Sequence, residues 1–203
     1  MILELRARPL PLGFFRQDAV TVARELLGKL LVTEIRGVRT VGRIVEVEAY
    51  LGVEDPASHA WRFRRHAQNE GLYGAAGNWY VYRSFGVNWC ANLVAGPPGQ
   101  ATAVLLRALE PVHGLPVMYR RRATTEERIL CAGPGRLTQA LGITRALDQT
   151  SMPTSSARVL ASAPLPEAEI AVTPRIGITR ATAWPLRFMV RGSPWVSRAR
   201  WND

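Results

Sequence analysis

The first half of the chain alternates apolar and polar residues in a pattern that predicts one helix followed by five strands. Asp18 can cap a helix through "AVTVAREL" that ends at Gly28, with its apolar residues on one stripe. The runs "KLLVTEI" and "TVGRIVEVEAY" are separated by "RGVR", so they predict a hairpin. Three further strands are predicted in "NWYVYRSFGVNWCANLV" and "QATAVLLRALEP", with turns at Phe85–Gly86 and at "AGPPGQ".

The second half predicts two helices and then three strands. "VHGLPVMYRRRATTEER" predicts a helix whose arginine run is typical of a solvated face, and "GPGRLTQALGI" predicts a short helix opened by glycines. The runs "ARVLAS", "EIAVTPRIGIT" and "LRFMVRG" predict strands. Without an internal repeat or a linker, residues 1–203 are expected to form a single domain. The class is α+β, with a mixed or antiparallel sheet and a few helices.

The stretch "IVEVEAY" places two carboxylates close to a tyrosine. In a regular strand, alternate residues face the same side, and they lie about 6.6 Å apart. The residues sharing one face would be Ile44, Glu46, Glu48 and Tyr50. Two interpretations are open: the polar face of a half-buried strand lies in water, or one of the acids does chemistry on a bound anion.

Two further stretches indicate function. The loop from Leu51 to Ala76 is long and rich in His, Arg and Asn, and loops of that length in compact domains are usually functional or mobile. Phe85 lies at a turn, where it either folds back onto the core or acts as a wedge that enters a base stack. Tyr80 and Tyr82 share one face of the strand leading to that turn.

The composition indicates a globular protein with an anionic partner. The apolar content is 47%, and 26 Lys and Arg against 16 Asp and Glu give a net charge of +10. Such a charge favours a polyanion, with nucleic acid first. Almost all the basic residues are arginines, and Lys29, in the apolar run "ELLGKLLV", is the only lysine. Any mechanism that needs a lysine Schiff base therefore has one poor candidate.

Several classes of protein are disfavoured. The N-terminus carries Glu4, Arg6 and Arg8 where a signal peptide needs its apolar run, and no stretch reaches transmembrane length, so a cytoplasmic location is expected, near the nucleoid if the source is prokaryotic. The cysteines and histidines lack the spacing of a disulfide scaffold or a zinc site, and no metal or cofactor is expected. These residues are Cys90, Cys131, His59, His66 and His113.

Seven blocks in order resemble the alkyladenine (3-methyladenine) DNA glycosylases over about residues 14–197. They are "VARELLGKLLV", "IVEVEAYLGVEDPASHA", "YVYRSFGVNWCANLV", "AVLLRALEP", "CAGPGRLTQALGI", "RIGI" and "PLRFMVRGSPWVS". The resemblance implies a curved β-sheet with flanking helices and a protruding β-hairpin. It implies a monomer that approaches duplex DNA from the minor-groove side and flips damaged purines out of it. The N-glycosidic bond of 3-methyladenine, 7-methylguanine, hypoxanthine or ethenoadenine would then be hydrolysed.

The resemblance also implies catalytic roles. Glu48 would activate the attacking water, and Arg107 and the main-chain carbonyl of Ile176 would help to hold that water. Glu46 would be a supporting residue on the same strand.

Residues that bind the substrate follow from the same resemblance. Tyr50 would stack on one face of the flipped base, with His59 and Tyr82 on the other. The main-chain amide of His59 would donate to the O6 position of hypoxanthine, and Asn92 would crowd the 2-amino group of guanine. Phe85 would fill the gap left in the duplex.

The sequence departs from the family in two places, and two other functions are open. The wedge position is usually tyrosine and is Phe85 here, and the loop after His59 reads "RRHAQNE", Arg64 to Glu70, where the family usually has Arg-Thr-Pro-Arg-Asn. One alternative is a metal-dependent nuclease using Glu46, Glu48 and Asp55, which EDTA would inactivate. The other is a non-catalytic nucleic-acid-binding protein, which release of free base would exclude.

Overall fold

The computed structural model describes residues 7–197. Glu4 and Arg6, on which part of the signal-peptide argument rests, and the two ends of the expected 1–203 domain lie outside these residues. The helices are α1 (Ala19–Leu26), α2 (Leu115–Arg122) and α3 (Pro134–Leu141). The strands are β1 (Leu30–Ile35), β2 (Val38–Tyr50), β3 (Trp79–Ser84), β4 (Asn88–Ala95), β5 (Thr102–His113), β6 (Ala157–Leu160), β7 (Ile170–Thr173) and β8 (Arg187–Val190).

The strands form one curled antiparallel sheet around the long strand β2. The order is β3-β4-β5-β2-β1-β6, and β8 pairs with both β2 and β7. Each strand pair within residues 7–197 is antiparallel. The α+β prediction is therefore confirmed, and of the two sheet types predicted, the antiparallel one is observed. β2 pairs with β5 on one side, and with β1 and then β8 on the other. Residues of β2 therefore lie at the centre of the sheet.

The first helix forms as its sequence predicts. Asp18 Oδ1 accepts hydrogen bonds from the main-chain N–H groups of Val20 and Thr21, both at 3.0 Å, which satisfies donors that have no partner within the helix. The chain leaves α1 through Gly28, whose φ of +80° favours glycine. Among the described residues, the helices are too short to cross a membrane.

The two faces of the β3–β4–β5 region pack against different parts of the chain. Val81, Leu93 and Val104 belong to the main core. The opposite face carries a smaller apolar cluster in which Tyr80 packs with Ala60 of the long loop. That loop contains three short 3₁₀ turns, Gly52–Glu54, Trp61–Phe63 and Glu70–Tyr73. The predicted functional loop thus lies against the tyrosine-bearing face of the sheet.

Paired irregularities in β2 and β5 change which residues share a face. Ile44 pairs with Leu109 and Glu46 with Ala108, so Val45 is an extra residue on β2. Ile44 therefore packs in the main core with Val47, and the prediction that it shares a face with Glu46 is wrong. The interpretation in which the polar face of this strand lies in water is also wrong, because residues 40–42 and 44–49 are all buried. An alternation of period two holds only where the ladder has no bulge.

The second half differs from the prediction in several details, the first being a shorter helix, because β5 continues to His113 and α2 spans only Leu115–Arg122. The strand predicted from "EIAVTPRIGIT" ends at Thr173, and the segment after it leaves the sheet. The arginine run of α2 is not simply solvated, because Arg121 donates to the carbonyl of Ala140 (3.0 Å) and Arg122 to that of Leu130 (3.1 Å). These bonds tie α2 to the end of α3 and to the turn before it.

The junction between β2 and the long loop requires glycine at position 52. Gly52 and Gly37 have nearly the same φ, +71° and +72°, but a Cβ at Gly52 would lie 1.9 Å from the carbonyl oxygen of Gln100, whereas nothing lies within 4 Å at Gly37. We expect Gly37→Ala to lower the free energy of unfolding by about 1 kcal/mol through backbone strain alone. Gly52→Ala should cost at least about 3 kcal/mol because the backbone must move as well. Urea unfolding of both variants measures this, and equal losses would contradict the predicted steric clash.

Candidate active site

Glu46 is fully buried, and its carboxylate accepts four hydrogen bonds. Oε1 accepts from Nε of Arg107 (3.1 Å), Nε of Arg187 (2.7 Å) and the hydroxyl of Ser197 (2.8 Å). Oε2 accepts from the main-chain N–H of Ser197 (2.6 Å). Glu46 thus receives four donors, as many as a carboxylate has acceptor sites, and three of them are on Oε1. Glu46 joins β2, β5, β8 and the C-terminal end of the described chain.

Glu48 is equally buried but keeps an acceptor site. Oε1 accepts from the main-chain N–H of Ile176 (2.8 Å), and Oε2 accepts from the hydroxyl of Tyr50 (3.0 Å) and Nη1 of Arg107 (3.2 Å). Burial and the adjacent Glu48 carboxylate raise the pKa of Tyr50 well above its usual value, so this hydroxyl stays protonated and donates. Three donors for about four acceptor sites leave one lone pair, on Oε1 beside Ile176.

Arg107 lies between the two acids and bonds to both. Burial alone would lower the pKa of Arg107, yet the carboxylates of Glu48 and Glu46 raise it, so the guanidinium stays charged. Its Nη1 is also 3.5 Å from the main-chain carbonyl oxygen of Ile176. The geometry thus brings together the three residues for which the sequence predicts catalytic roles: Glu48, Arg107 and Ile176.

Aromatic side chains form one wall of the site. The rings of His59 and Tyr82 meet edge to face with centroids 4.5 Å apart, and Tyr80 stacks on Tyr82 at 5.4 Å. His59 Nδ1 is 2.8 Å from the hydroxyl of Tyr80, which fixes the orientation of the imidazole. Burial, and to a smaller extent the nearby His66 and Arg64 side chains, lower the pKa of His59, which favours a neutral ring. Two rings of this wall, His59 and Tyr82, are predicted binding residues.

Main-chain groups and a buried amide complete this wall. The N–H of His59 donates to no acceptor within the described part of the chain, whereas its carbonyl accepts from Asn69 (3.0 Å). Asn92 pairs with Tyr80 across β3 and β4, and its Nδ2 donates to the carbonyl of Tyr80 (3.1 Å). The amide of Asn92 is therefore held in one orientation on the strand next to the aromatic wall.

Phe85 lies at the turn between β3 and β4, and its fractional exposure is 97%. The alternative in which it folds back onto the core is therefore wrong. Its φ of +48° is a left-handed conformation that costs free energy for a residue other than glycine. Val87, two residues later, is 70% exposed. The turn thus presents apolar groups to the outside of the protein.

Sequence reasoning missed two residues of the site, Arg175 and Asn69. Arg175 pairs with Asp55 and stacks on Tyr50, and Asn69 joins the carbonyls of His59 and Arg64 (both 3.0 Å). Arg175 comes directly before Ile176 in the quoted block "RIGI", which is a signal that could have been used. Asn69 lies in the loop that departs from the family pattern. Its Oδ1 accepts a hydrogen bond from the main-chain N–H of His66, which stabilises the conformation of that loop.

The acids of the site do not form a metal-binding set. Glu46 faces two arginines, and Asp55 is paired with Arg175 by two hydrogen bonds. Within residues 7–197, no group of three or more His, Cys, Asp or Glu side chains could hold a metal ion. The nuclease alternative requires carboxylates that converge on a shared cation, and these converge on guanidinium groups instead.

Comparison with known proteins places this arrangement in a family. The family model described as methylpurine-DNA glycosylase matches residues 13–194. A relative from Methanoculleus marisnigri, named provisionally as a 3-methyladenine DNA glycosylase, is 50% identical, with 93% of this chain and 98% of the relative aligned. The human DNA-3-methyladenine glycosylase is 43% identical, with 93% of this chain and 67% of the human protein aligned. The chain therefore belongs to the methylpurine-DNA glycosylase family, a family of DNA glycosylases, as the resemblance of its seven blocks predicts.

Proposed function

We propose that this protein hydrolyses the N-glycosidic bond of damaged purine nucleotides flipped out of duplex DNA. The substrates proposed are 3-methyladenine, 7-methylguanine, hypoxanthine and ethenoadenine, and the reaction needs no cofactor. The observation that carries the proposal is the contrast between the two acids of β2: Glu46 receives four donors, from Arg107, Arg187 and Ser197, whereas Glu48 receives three and keeps an acceptor site beside the site's other predicted catalytic residues. That acceptor site lies on Oε1, next to the main chain of Ile176.

The remaining lone pair of Glu48 gives the attacking water a place. A water donating to Glu48 Oε1 could donate its second proton to the main-chain carbonyl of Ile176, whose one bond among the described residues is a long contact of 3.5 Å with Arg107. As the water attacks C1′, Glu48 takes its proton, and the negative charge stabilises the oxocarbenium-like transition state. The guanidinium of Arg107 pairs with the Glu48 carboxylate at 3.2 Å and supplies a compensating positive charge.

Base selection relies on the aromatic wall and on the damage itself. Flipping costs a few kcal/mol, and this cost is lowest for a damaged or mispaired base. A purine alkylated at N3 or N7 is cationic, so Tyr50, Tyr82 and a neutral His59 attract it through their π faces. It is also a good leaving group, so a single carboxylate can suffice where ordinary glycosidases use two. Asn92 would crowd the 2-amino group of guanine, and the free N–H of His59 would bond the O6 of hypoxanthine.

DNA binding would use the exposed turn and the positive surface. Phe85 would enter the base stack from the minor groove and fill the space vacated by the flipped nucleotide, as apolar wedges do in minor-groove proteins. The excess of 10 positive charges would contact phosphates. The active form that we propose is a monomer.

The direct test measures base release from duplexes that carry each of the four lesions, with and without EDTA. Release of free base that EDTA does not change is the expected result. Loss of activity in EDTA would favour the nuclease alternative, and DNA binding without base release would favour the non-catalytic one.

The two acids should respond differently to the same substitution. Glu48→Gln removes the base and its charge, so the single-turnover excision rate should fall by at least about 10²–10⁴-fold. Binding to lesion DNA should survive or tighten, because a buried charge that repels phosphate is gone. Glu46→Gln should leave the rate within about tenfold but cost about 3–5 kcal/mol of stability, because Arg107 and Arg187 lose their shared carboxylate. A dead Glu46→Gln variant beside a live Glu48→Gln variant would reverse the assignment.

The enzyme should leave an abasic site without cutting the strand. A strand-cutting mechanism through a lysine Schiff base would need Lys29, the only lysine in the chain, which is 4% exposed and donates to the carbonyl of Ser162 (2.9 Å). Mixing enzyme, lesion DNA and borohydride should trap no covalent adduct, and Lys29→Arg should keep the parental excision rate. A trapped adduct that disappears in Lys29→Arg would refute this prediction.

Phe85→Ala should lower the rate of excision from duplex DNA but not from single-stranded DNA. The side chain is exposed, so stability should change by less than about 0.5 kcal/mol. Excision from duplex DNA should fall by about tenfold or more, because the gap in the stack is no longer filled. Excision from single-stranded DNA should stay near the parental rate, since no stack has to be refilled. Val172→Ala, an exposed apolar residue of β7, is the control and should change neither rate, whereas equal losses on both substrates in Phe85→Ala would contradict a wedge.

A further inference from the structure

A buried cation lies behind the tyrosine that is proposed to stack on the flipped base. The guanidinium carbon of Arg175 is 4.5 Å from the centroid of the Tyr50 ring. The Arg175 side chain has no exposed area, whereas Tyr50 is partly exposed. One face of the ring is therefore filled by a positive charge, and a base that stacks on Tyr50 has to use the opposite face.

A carboxylate with no exposed area fixes this cation. Arg175 donates through Nη1 and Nη2 to the two oxygens of Asp55 (2.5 and 2.8 Å), and Nη1 also donates to the carbonyl of Ala49 (3.0 Å). Asp55 accepts in addition from the main-chain N–H groups of Leu51 (3.1 Å) and Ala57 (2.9 Å). Burial by itself would raise the pKa of Asp55, but the bonds from Arg175 and these main-chain groups lower it, so the pair stays ionised. The guanidinium cannot turn away from the ring without breaking these bonds.

The pair also connects both sides of the site. Arg175 directly precedes Ile176, whose N–H bonds Glu48, and Asp55 lies in the loop that carries His59. Ala49, whose carbonyl accepts from Arg175, lies between Glu48 and Tyr50 on β2. The pair therefore sets the position of Tyr50 relative to the groups proposed to act on the sugar.

We propose that Arg175, neutralised in part by Asp55, is a positioning residue that sets how strongly the site prefers cationic over neutral purines; this rests on the proposed function. The π electrons of a ring attract a cation at either face. A guanidinium already occupies one face of Tyr50, so it repels a cationic base on the other face through the low-dielectric ring. A neutral base such as hypoxanthine feels no such net repulsion. Asp55 offsets part of the charge of Arg175, so cationic alkylpurines can still bind at this face of Tyr50.

The inference predicts opposite shifts for two variants. The measured quantity is the ratio of single-turnover excision rates for 7-methylguanine, which is cationic in the nucleotide, to those for hypoxanthine, which is neutral. Asp55→Asn leaves the charge of Arg175 uncompensated, so the ratio should fall by about three- to tenfold. Asp55→Asn combined with Arg175→Met removes both charges without leaving one unpaired, so the ratio should rise above the parental value by about threefold or more.

A matched control and a second variant keep the test decisive. Glu34→Gln combined with Arg158→Met removes a partly exposed ion pair (2.6 Å) between β1 and β6, and it should leave the ratio unchanged. If the combined variant at Asp55 and Arg175 does not fold, Asp55→Asn and Arg175→Lys decide. Arg175→Lys keeps the charge but loses the planar stack, so both rates should drop and the ratio should stay within about twofold of the parental value.

A merely structural role would lower both rates together. Parental ratios in both Asp55 variants, or shifts of both in the same direction, would overturn the inference while leaving the proposed function intact. The same holds for an Asp55→Asn ratio at or above the parental value. A parental enzyme that releases neither base would contradict the proposed function itself, and this inference with it.

Discussion

Arg107 contacts both acids of β2, through Nε to Glu46 and through Nη1 to Glu48. A buried guanidinium needs compensating charge, and a buried carboxylate needs donors for its lone pairs. Glu46 supplies much of that compensation, and Arg187 and Ser197 supply its other donors. Glu48 can then share the same arginine and still keep a free lone pair. Two identical side chains, two positions apart, thus have different hydrogen-bonding surroundings because their donors are distributed differently.

The backbone permits this arrangement through two register shifts, one on β2 and one on β5, that compensate each other. On β2, Ile44 and Val47 both pack in the main core although they are three residues apart, and on β5 the same is true of Leu106 and Leu109. The register shifts lie between these residues on each strand. Since both strands shift by one residue at the same point, the regular pairing resumes after it. Arg107 and the two acids therefore lie on the side of the sheet away from the main core. A bulge that re-aims side chains near an active site is a common use of this irregularity.

The features that the sequence predicted correctly are those set by nearby residues. The cap at Asp18 and the turn at Phe85 depend on a few neighbours, and so does the shared face of Glu46 and Glu48. The features that it missed depend on contacts between distant parts of the chain. Arg175 and Asp55 are 120 positions apart, and Arg187 and Glu46 are 141 positions apart. The face of the sheet on which Ile44 lies was predicted wrongly for the same reason. A bulge is defined by the partner strand and leaves no signal in the alternation of apolar and polar residues.

The resulting charge distribution separates chemistry from DNA binding. Three acids, Glu46, Glu48 and Asp55, face three arginines in and around the site, so these six charges cancel. The net charge of +10 therefore resides on the rest of the chain, where phosphate can reach it without competing with the buried carboxylates for their arginines. Burial also shields Glu48 from salt, whereas exposed arginines are screened over about 8–10 Å at ordinary ionic strength. Salt should accordingly weaken the encounter with DNA much more than it affects the step at the glycosidic bond.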